Sequence, residues 1–226
     1  MKISFRKRKQ RVPGKIKMAP RSHRSIQIIL LLFILLLTSV PTDIVKARNI
    51  HHASSLPPLK AFTDELRNGQ ADELRGIYIP EVLAASIVQQ PSGRNGYVSN
   101  QKNTVTQFGL ASDFKSTGLL AHNYLAGEGF ASLEKGQEIY LIYGDGKILV
   151  VSITEILQYQ ALQPNSVTSD FLNLDGGHVL TAPELFTKVY NRPGQVILQT
   201  CIAREGNPSW GRLFVIAKPY KSEMPH

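Results

Sequence analysis

The sequence has almost no cysteine: Cys201 is the single thiol among 226 residues. An intramolecular disulfide is excluded, and with it a small scaffold held together by cross-links. Acidic residues are missing from the start of the chain. The first 24 residues carry ten basic side chains and no Asp or Glu. That tail accounts for the formal net charge of +9, because the rest of the chain holds 16 basic and 17 acidic side chains. The body is nearly neutral and lacks the basic field that nucleic-acid binding draws on. Charged residues make up only 19% and hydrophobic residues 42%, the balance of a globular chain with a core rather than a disordered one.

Long apolar runs are scarce too. The one that stands out is SIQIILLLFILLLTSV, Ser25 to Val40, directly behind the basic tail. A basic cluster followed by such a run reads as an export signal whose basic side stays in the cytoplasm. A bilayer core needs about 20 residues, so the segment extends through Val45. An uncleaved anchor is preferred over a signal cut after Ala47, because the basic flank is so long. The C-terminus, Lys221 to His226, carries no second apolar segment. The chain therefore divides into a basic cytoplasmic tail (1–24), a membrane anchor or signal segment (25–45), a linker with a helical turn or two (46–75), a folded domain (76–220) and a short tail (221–226).

Within the domain the pattern is short β runs broken by turns. Glu138–Tyr143 and Lys147–Ile153 flank Gly144-Asp145-Gly146, a strong hairpin signal. Further runs at 77–79, 82–88, 118–121, 179–181, 195–200 and 212–217 predict an all-β sandwich or barrel. The clearest short helix is expected over 182–190. Cys201 then lies at the end of one strand and Arg212 at the start of the next.

A lone thiol outside the cell is either a small buried apolar group or a reactive one. Cysteine catalysis needs a thiolate, a partner that handles the leaving amine's proton, and a donor for the developing oxyanion. His23, His51, His52 and His226 lie in the tail, the linker or the terminus. His122 follows an apolar strand and His178 follows the turn sequence Asp175-Gly176-Gly177. A strand end holds a side chain better than a turn, so His122 is preferred and His178 stays a candidate. Arg204 and Arg212 compete for the third role, and Arg212 is favoured because it leads a strand paired with the one that ends at Cys201.

Three motifs in order carry a resemblance. Leu198-Gln199-Thr200-Cys201, followed eleven residues on by Arg212-Leu213-Phe214-Val215, is similar to the sortase signature of a Leu-x-Thr-Cys strand and an Arg-led strand. Leu119-Leu120-Ala121-His122-Asn123 resembles the family's apolar strand ending in His. Phe130, Leu133, Gly136 and Ile139 match its Phe-x-x-Leu-x-x-Gly-x-x-Ile pattern. The resemblance spans roughly Ile77 to Pro219. It implies a closed eight-stranded β-barrel and a thioester at Cys201 formed with a cleaved peptide sorting signal. An amine, from a cell-wall peptide or a pilin lysine, resolves that thioester. His122 is the implied acid and base, Arg212 stabilises the oxyanion or holds the substrate, and Thr200 lines the groove floor. The stretch from about Gln163 to Arg192 corresponds to the family's specificity loop, and Ile202 to Gly211 to the opposite wall of the groove. Ile197 departs from the Thr that many members carry there. The acidic calcium ligands of some sortases have no counterpart, so no metal and no cofactor are expected.

Two other readings remain. Cys201-Ile202-Ala203-Arg204 suits a cysteine L,D-transpeptidase, but that enzyme wants Gly and His where Thr200 and Gln199 stand. A papain-like protease wants a helix at the Cys, and Val196–Thr200 reads as strand. Outside the enzymes, a catalytically silent sortase-like module could bind peptides or help assemble a surface structure.

Overall fold

The computed structural model describes residues 56–166 and 168–220. The basic tail, the apolar segment 25–45, His23, His51, His52, His226 and the tail 221–226 lie outside the described residues. Among the described residues no helix is long and apolar enough to cross a membrane.

Chain entry is through α1 (Leu59–Leu66), which begins directly after Pro58. Its buried residues include Phe62 and Leu66, one turn apart on one face. They pack on Ala84 and Ile142. A Cβ on Gly76 would meet Leu66 Cδ1 at 2.2 Å, so the missing side chain is what lets the helix sit this close. The stretch read as linker from sequence thus contributes an amphipathic cover to the domain.

Ten strands follow among the described residues. They are β1 (Leu74–Ile79), β2 (Leu83–Gln89), β3 (Thr104–Phe108), β4 (Thr117–Leu120) and β5 (Glu138–Tyr143). Next come β6 (Ile148–Ala161), β7 (Phe171–Asn173), β8 (Val179–Leu180), β9 (Val196–Arg204) and β10 (Asn207–Pro219). The sheet order is β10-β9-β4-β3-β2-β1-β5-β6-β7-β8, and β10 also pairs with β6. That extra ladder joins β10, β9, β4, β3, β2, β1, β5 and β6 into a ring. The result is the closed eight-stranded barrel expected from the sequence, with the β7–β8 hairpin appended beyond β6. Pairs β2–β3 and β4–β9 are parallel and the others antiparallel.

Side-chain alternation sorts the strands into two faces. Leu119, Ala121, Val196, Leu198, Leu213, Val215 and Ala217 fill the barrel interior. Their neighbours Leu120, Ile197, Phe214 and Ile216 point outward into a second core. This outer core lies beneath α3 (Ala182–Tyr190), which presents Leu185, Val189 and Tyr190. Its start is set by a capping box between Thr181 and Glu184, with a proline in the first turn. Hydrogen bonds from the Thr181 backbone and side chain hold the Glu184 carboxyl below the usual carboxylate range.

One register break matters for the outer face. Between the pairs Ile216↔Glu155 and Ala217↔Ile153, Thr154 is left unpaired on β6. Its hydroxyl donates to the Ile216 carbonyl at 3.3 Å. A bulge inverts the alternation beyond it, so Ile153 faces the interior while Leu157, Tyr159 and Ala161 face the outer core. At the barrel end after β4, a 3-10 helix (Ala126–Ser132) inserts Ala126 and Phe130 into the interior, followed by Leu133. Gly136 then turns the chain at φ 89° and Ile139 enters the core on β5. The Phe-x-x-Leu-x-x-Gly-x-x-Ile pattern is therefore the plug of the barrel end.

The structure moves some strand boundaries. β9 runs on to Arg204 and β10 starts at Asn207, so Cys201 and Arg212 lie within strands rather than at their ends. Glu205 and Gly206 close this hairpin at φ 53° and 76°, as a two-residue type I′ turn requires. β3 and β7 have no counterpart among the expected strands. The helix over 182–190 forms as expected, α1 joins it, and α2 (Gly109–Ser112) adds a single turn before β4.

Gly118 on β4 tests how α3 is seated. A Cβ there would meet Ala111 Cβ at 2.9 Å and both Phe108 Cβ and Tyr190 Cε1 at 3.0 Å. Gly118→Val is expected to lower the unfolding free energy by about 1–3 kcal/mol in urea titration. An unchanged midpoint would contradict this packing.

Candidate active site

Cys201 and Arg212 are direct cross-strand partners in the β9–β10 ladder. Partners in a ladder project to the same face. The outward residues flanking them, Ile197 on β9 and Phe214 on β10, fix that face as the outer one. Cys201 is a free, half-buried thiol. Arg212 is half-buried as well. Its Nη1 donates to the Ser209 and Gly211 carbonyls at 3.0 and 2.9 Å. Its guanidinium carbon lies 5.9 Å from the centre of the Phe171 ring, within reach of a cation–π attraction. Among the described residues no carboxylate pairs with it. One edge of the guanidinium is thus anchored by the backbone and the remaining donors are unspent.

His122 follows the end of β4, the strand that pairs with β9. The parallel register pairs Leu120 with Gln199, and the Ala121 N–H donates to the Gln199 carbonyl at 3.2 Å. The strand ladder ends at that pair, and His122 is the second residue beyond it. Leu120 points outward. The His122 carbonyl accepts from the Leu125 and Gly127 N–H groups, both at 3.0 Å, which turns the chain into the 3-10 helix. Asn123 Nδ2 donates to the Pro208 carbonyl at 2.9 Å, tying the histidine loop to β10. The Tyr124 ring, 65% exposed, stacks on the imidazole at 5.1 Å and 18°. The imidazole makes no hydrogen bond among the described residues; such contacts often tighten only when substrate is bound.

Thr200 does not share this face. It lies between the outward Gln199 and Cys201, so its side chain points into the barrel, where it is 4% exposed. A Cβ on Gly127 would meet its Oγ1 at 2.4 Å. The hydroxyl is buried without a hydrogen-bond partner. Thr200 is therefore an interior packing residue against the 3-10 helix and does not line the surface groove. The other candidates lie apart from the cluster. His178 is exposed at the β7–β8 turn. Arg204, its side chain 59% exposed, lies over the Trp210 ring at 4.9 Å. Cys201 on a strand also removes the helix that a papain-like arrangement needs. Among the described residues no cluster of three His, Cys, Asp or Glu side chains could hold a metal ion.

The groove leading to Arg212 encloses about 410 Å³ and is lined by Phe108, Leu120, Phe171, Leu185, Tyr190, Gln199 and Phe214 among others. Phe171, Tyr190 and Gln199 were not singled out as groove residues in the sequence. Phe171 and Tyr190 come from segments whose approach to β9 depends on tertiary structure. Gln199 carried a usable signal, because it stands two residues before Cys201 on a strand.

No protein-family model and no curated protein sequence matches the chain. Its fold is similar to those of solved sortases. Sortase C-1 from Actinomyces oris is 18% identical, with a TM-score of 0.45, covering 74% of this chain and 83% of that one. Sortase C1 from Streptococcus suis is 15% identical, with a TM-score of 0.44 and coverage of 74% and 97%. Sortase E1 from Streptomyces coelicolor is 21% identical, with a TM-score of 0.40 and coverage of 69% and 91%.

The tie between Asn123 and Pro208 can be tested apart from global stability. Asn123→Ala is expected to cost about 1 kcal/mol or less in unfolding, yet to speed amide hydrogen exchange at Leu125 and Gly127, because the loop after His122 loses its anchor. Exchange equal to wild type would show that the loop is held by other contacts.

Proposed function

We propose that this chain is a sortase-type cysteine transpeptidase, tethered outside the cell by residues 25–45. The observation that carries the reading is the direct register of Cys201 with Arg212, whose side chain lines an apolar groove; His122, just beyond β4, is the proposed acid and base. Its substrates are proteins bearing a peptide sorting signal, and its acceptor is an amine from a cell-wall peptide or a pilin lysine.

In this mechanism the Cys201 thiolate attacks the scissile carbonyl carbon and an oxyanion forms. Arg212 has N–H donors not spent on its own loop, and they stabilise that charge. As the carbon–nitrogen bond breaks, His122 gives its proton to the departing amine, leaving a thioester on Cys201. The incoming amine then attacks the thioester, His122 takes a proton from its nitrogen, and the thiolate leaves. The new amide bond replaces the old one and the enzyme returns to its starting state.

A catalytically silent barrel that only binds peptides is the second reading. It draws support from the imidazole, which has no hydrogen bond to the thiol in the structure as described. An L,D-transpeptidase is disfavoured by Thr200 and Gln199 immediately before Cys201.

Incubating the protein with sorting-type peptides and weighing it intact distinguishes these readings. Wild type is expected to gain an acyl mass that disappears on adding an amine, and Cys201→Ala to gain none while keeping its thermal unfolding midpoint. Absence of any adduct from folded protein with a free thiol would favour the silent barrel. Arg212→Lys is expected to lose most of the rate, roughly 10²-fold or more, because an ammonium lacks the planar set of donors. A wild-type rate in that variant would remove Arg212 from the site.

A further inference from the structure

The groove beneath α3 is apolar along most of its wall, with Phe108, Phe171, Leu185, Phe186 and Phe214 facing it. Its strand floor nevertheless carries Gln199, whose amide has one acceptor oxygen and two N–H donors. The oxygen is already engaged. Tyr190, 2% exposed, donates its hydroxyl to Gln199 Oε1 at 2.5 Å. Burial pushes the Tyr190 phenol up, so it stays protonated and remains a donor. Tyr190 itself is held between Phe108 and Phe186, with ring centres 5.2 and 5.0 Å away. The Gln199 backbone is fixed from both sides, by Leu120 on β4 and Phe214 on β10.

With Oε1 taken, the amide cannot turn over without leaving the Tyr190 proton unpaired. Nε2 is left to present its two N–H groups, and among the described residues it has no hydrogen-bond partner. In an open groove those donors face solvent. A ligand that fills the groove and displaces the water must supply an acceptor or leave a donor unpaired, which is costly. Gln199 stands two residues before Cys201 on the same face, about 7 Å along the strand at ~3.4 Å per residue. An extended peptide bound along the groove would have the same repeat and would bring a backbone carbonyl to this point.

Resting on the acyl-transfer reading above, we propose that Gln199 is the substrate-positioning donor of this groove. It takes a backbone carbonyl of an extended peptide about two residues on the amino side of the carbonyl attacked by Cys201. Tyr190 is the positioning residue that aims it. The ligand class is an extended peptide with apolar side chains that suit the aromatic wall and an unblocked carbonyl at the Gln199 position.

The test uses the full chain and a pool of N-acetylated hexapeptides randomised at every position, with bound peptides identified by mass. The best-bound peptide is then remade with each backbone amide in turn replaced by an (E)-alkene, which keeps the shape and removes the carbonyl together with the amide N–H. Affinities are measured for wild type, Gln199→Met and Tyr190→Phe, and thermal unfolding confirms that each variant is folded. Gln199→Met is expected to weaken the parent peptide about five- to tenfold. One alkene peptide is expected to show the same loss on wild type and no further loss on Gln199→Met. Tyr190→Phe, which keeps the ring and removes the proton, is expected to show a smaller loss confined to peptides that retain that carbonyl. Equal affinity of wild type and Gln199→Met overturns the proposal. So do alkene losses that are identical in the two proteins, and so does a pool from which wild type retains no peptide. Intact mass on the same samples reads the chemistry separately. An adduct at Cys201 without dependence on Gln199 sinks this inference alone, whereas Gln199-dependent binding without an adduct sinks the transfer reading and leaves the donor role standing.

Discussion

The parallel ladder between β4 and β9 is the constraint on which the rest of the site depends. Cys201 and Arg212 would face each other in any hairpin of this register, because they are neighbours across one antiparallel ladder. His122 has no such local route, since 79 residues separate it from Cys201. The pairing of Thr117–Leu120 with Val196–Gln199 is the long-range contact that brings the segment before it next to β9. A slip of one residue in that ladder would send His122 to the other face of the sheet. The barrel interior resists such a slip, because Leu119 and Ala121 would have to leave the core while Leu120 entered it.

Closure of the barrel and construction of the groove are linked through β6. This strand pairs with β5 near its start, with β10 along most of its length and with β7 at its end. The bulge at Thr154 lets one strand serve the barrel interior first and the outer core afterwards. Phe171 on β7 is thereby brought over the Arg212 guanidinium, and α3 is left to roof the aromatic groove. The outer core therefore acts as both the support of the site and the wall of its binding surface.

Much of this was legible in the sequence, and the exceptions have physical causes. The Gly144-Asp145-Gly146 hairpin and the helix over 182–190 follow from turn chemistry and the local residue pattern, and the eight-stranded ring from the family resemblance. β3 was hidden because Thr104–Phe108 is short and sits in a polar stretch, with its parallel partner β2 supplying the pairing. The ends of β9 and β10 reach beyond the apolar runs in the sequence, because Ala203, Arg204 and Pro208 are exposed at a hairpin tip and carry no apolar pattern. The family resemblance implies Thr200 as groove floor, whereas its side chain is 4% exposed and faces the barrel interior. Strand alternation holds the correction, since residues adjacent in a strand cannot share a face. The Tyr190–Gln199 contact had no sequence signal, because it joins a helix to a strand through tertiary packing alone.

The central claim is that the β4–β9 ladder holds His122 close enough to Cys201 for the two groups to act together. The most direct measurement is the rate of Cys201 alkylation by iodoacetamide across pH 4 to 10, in wild type and in His122→Gln. The account predicts different profiles, because removing an adjacent imidazole changes how the thiol ionises and reacts. Superimposable profiles from two equally folded proteins would contradict it.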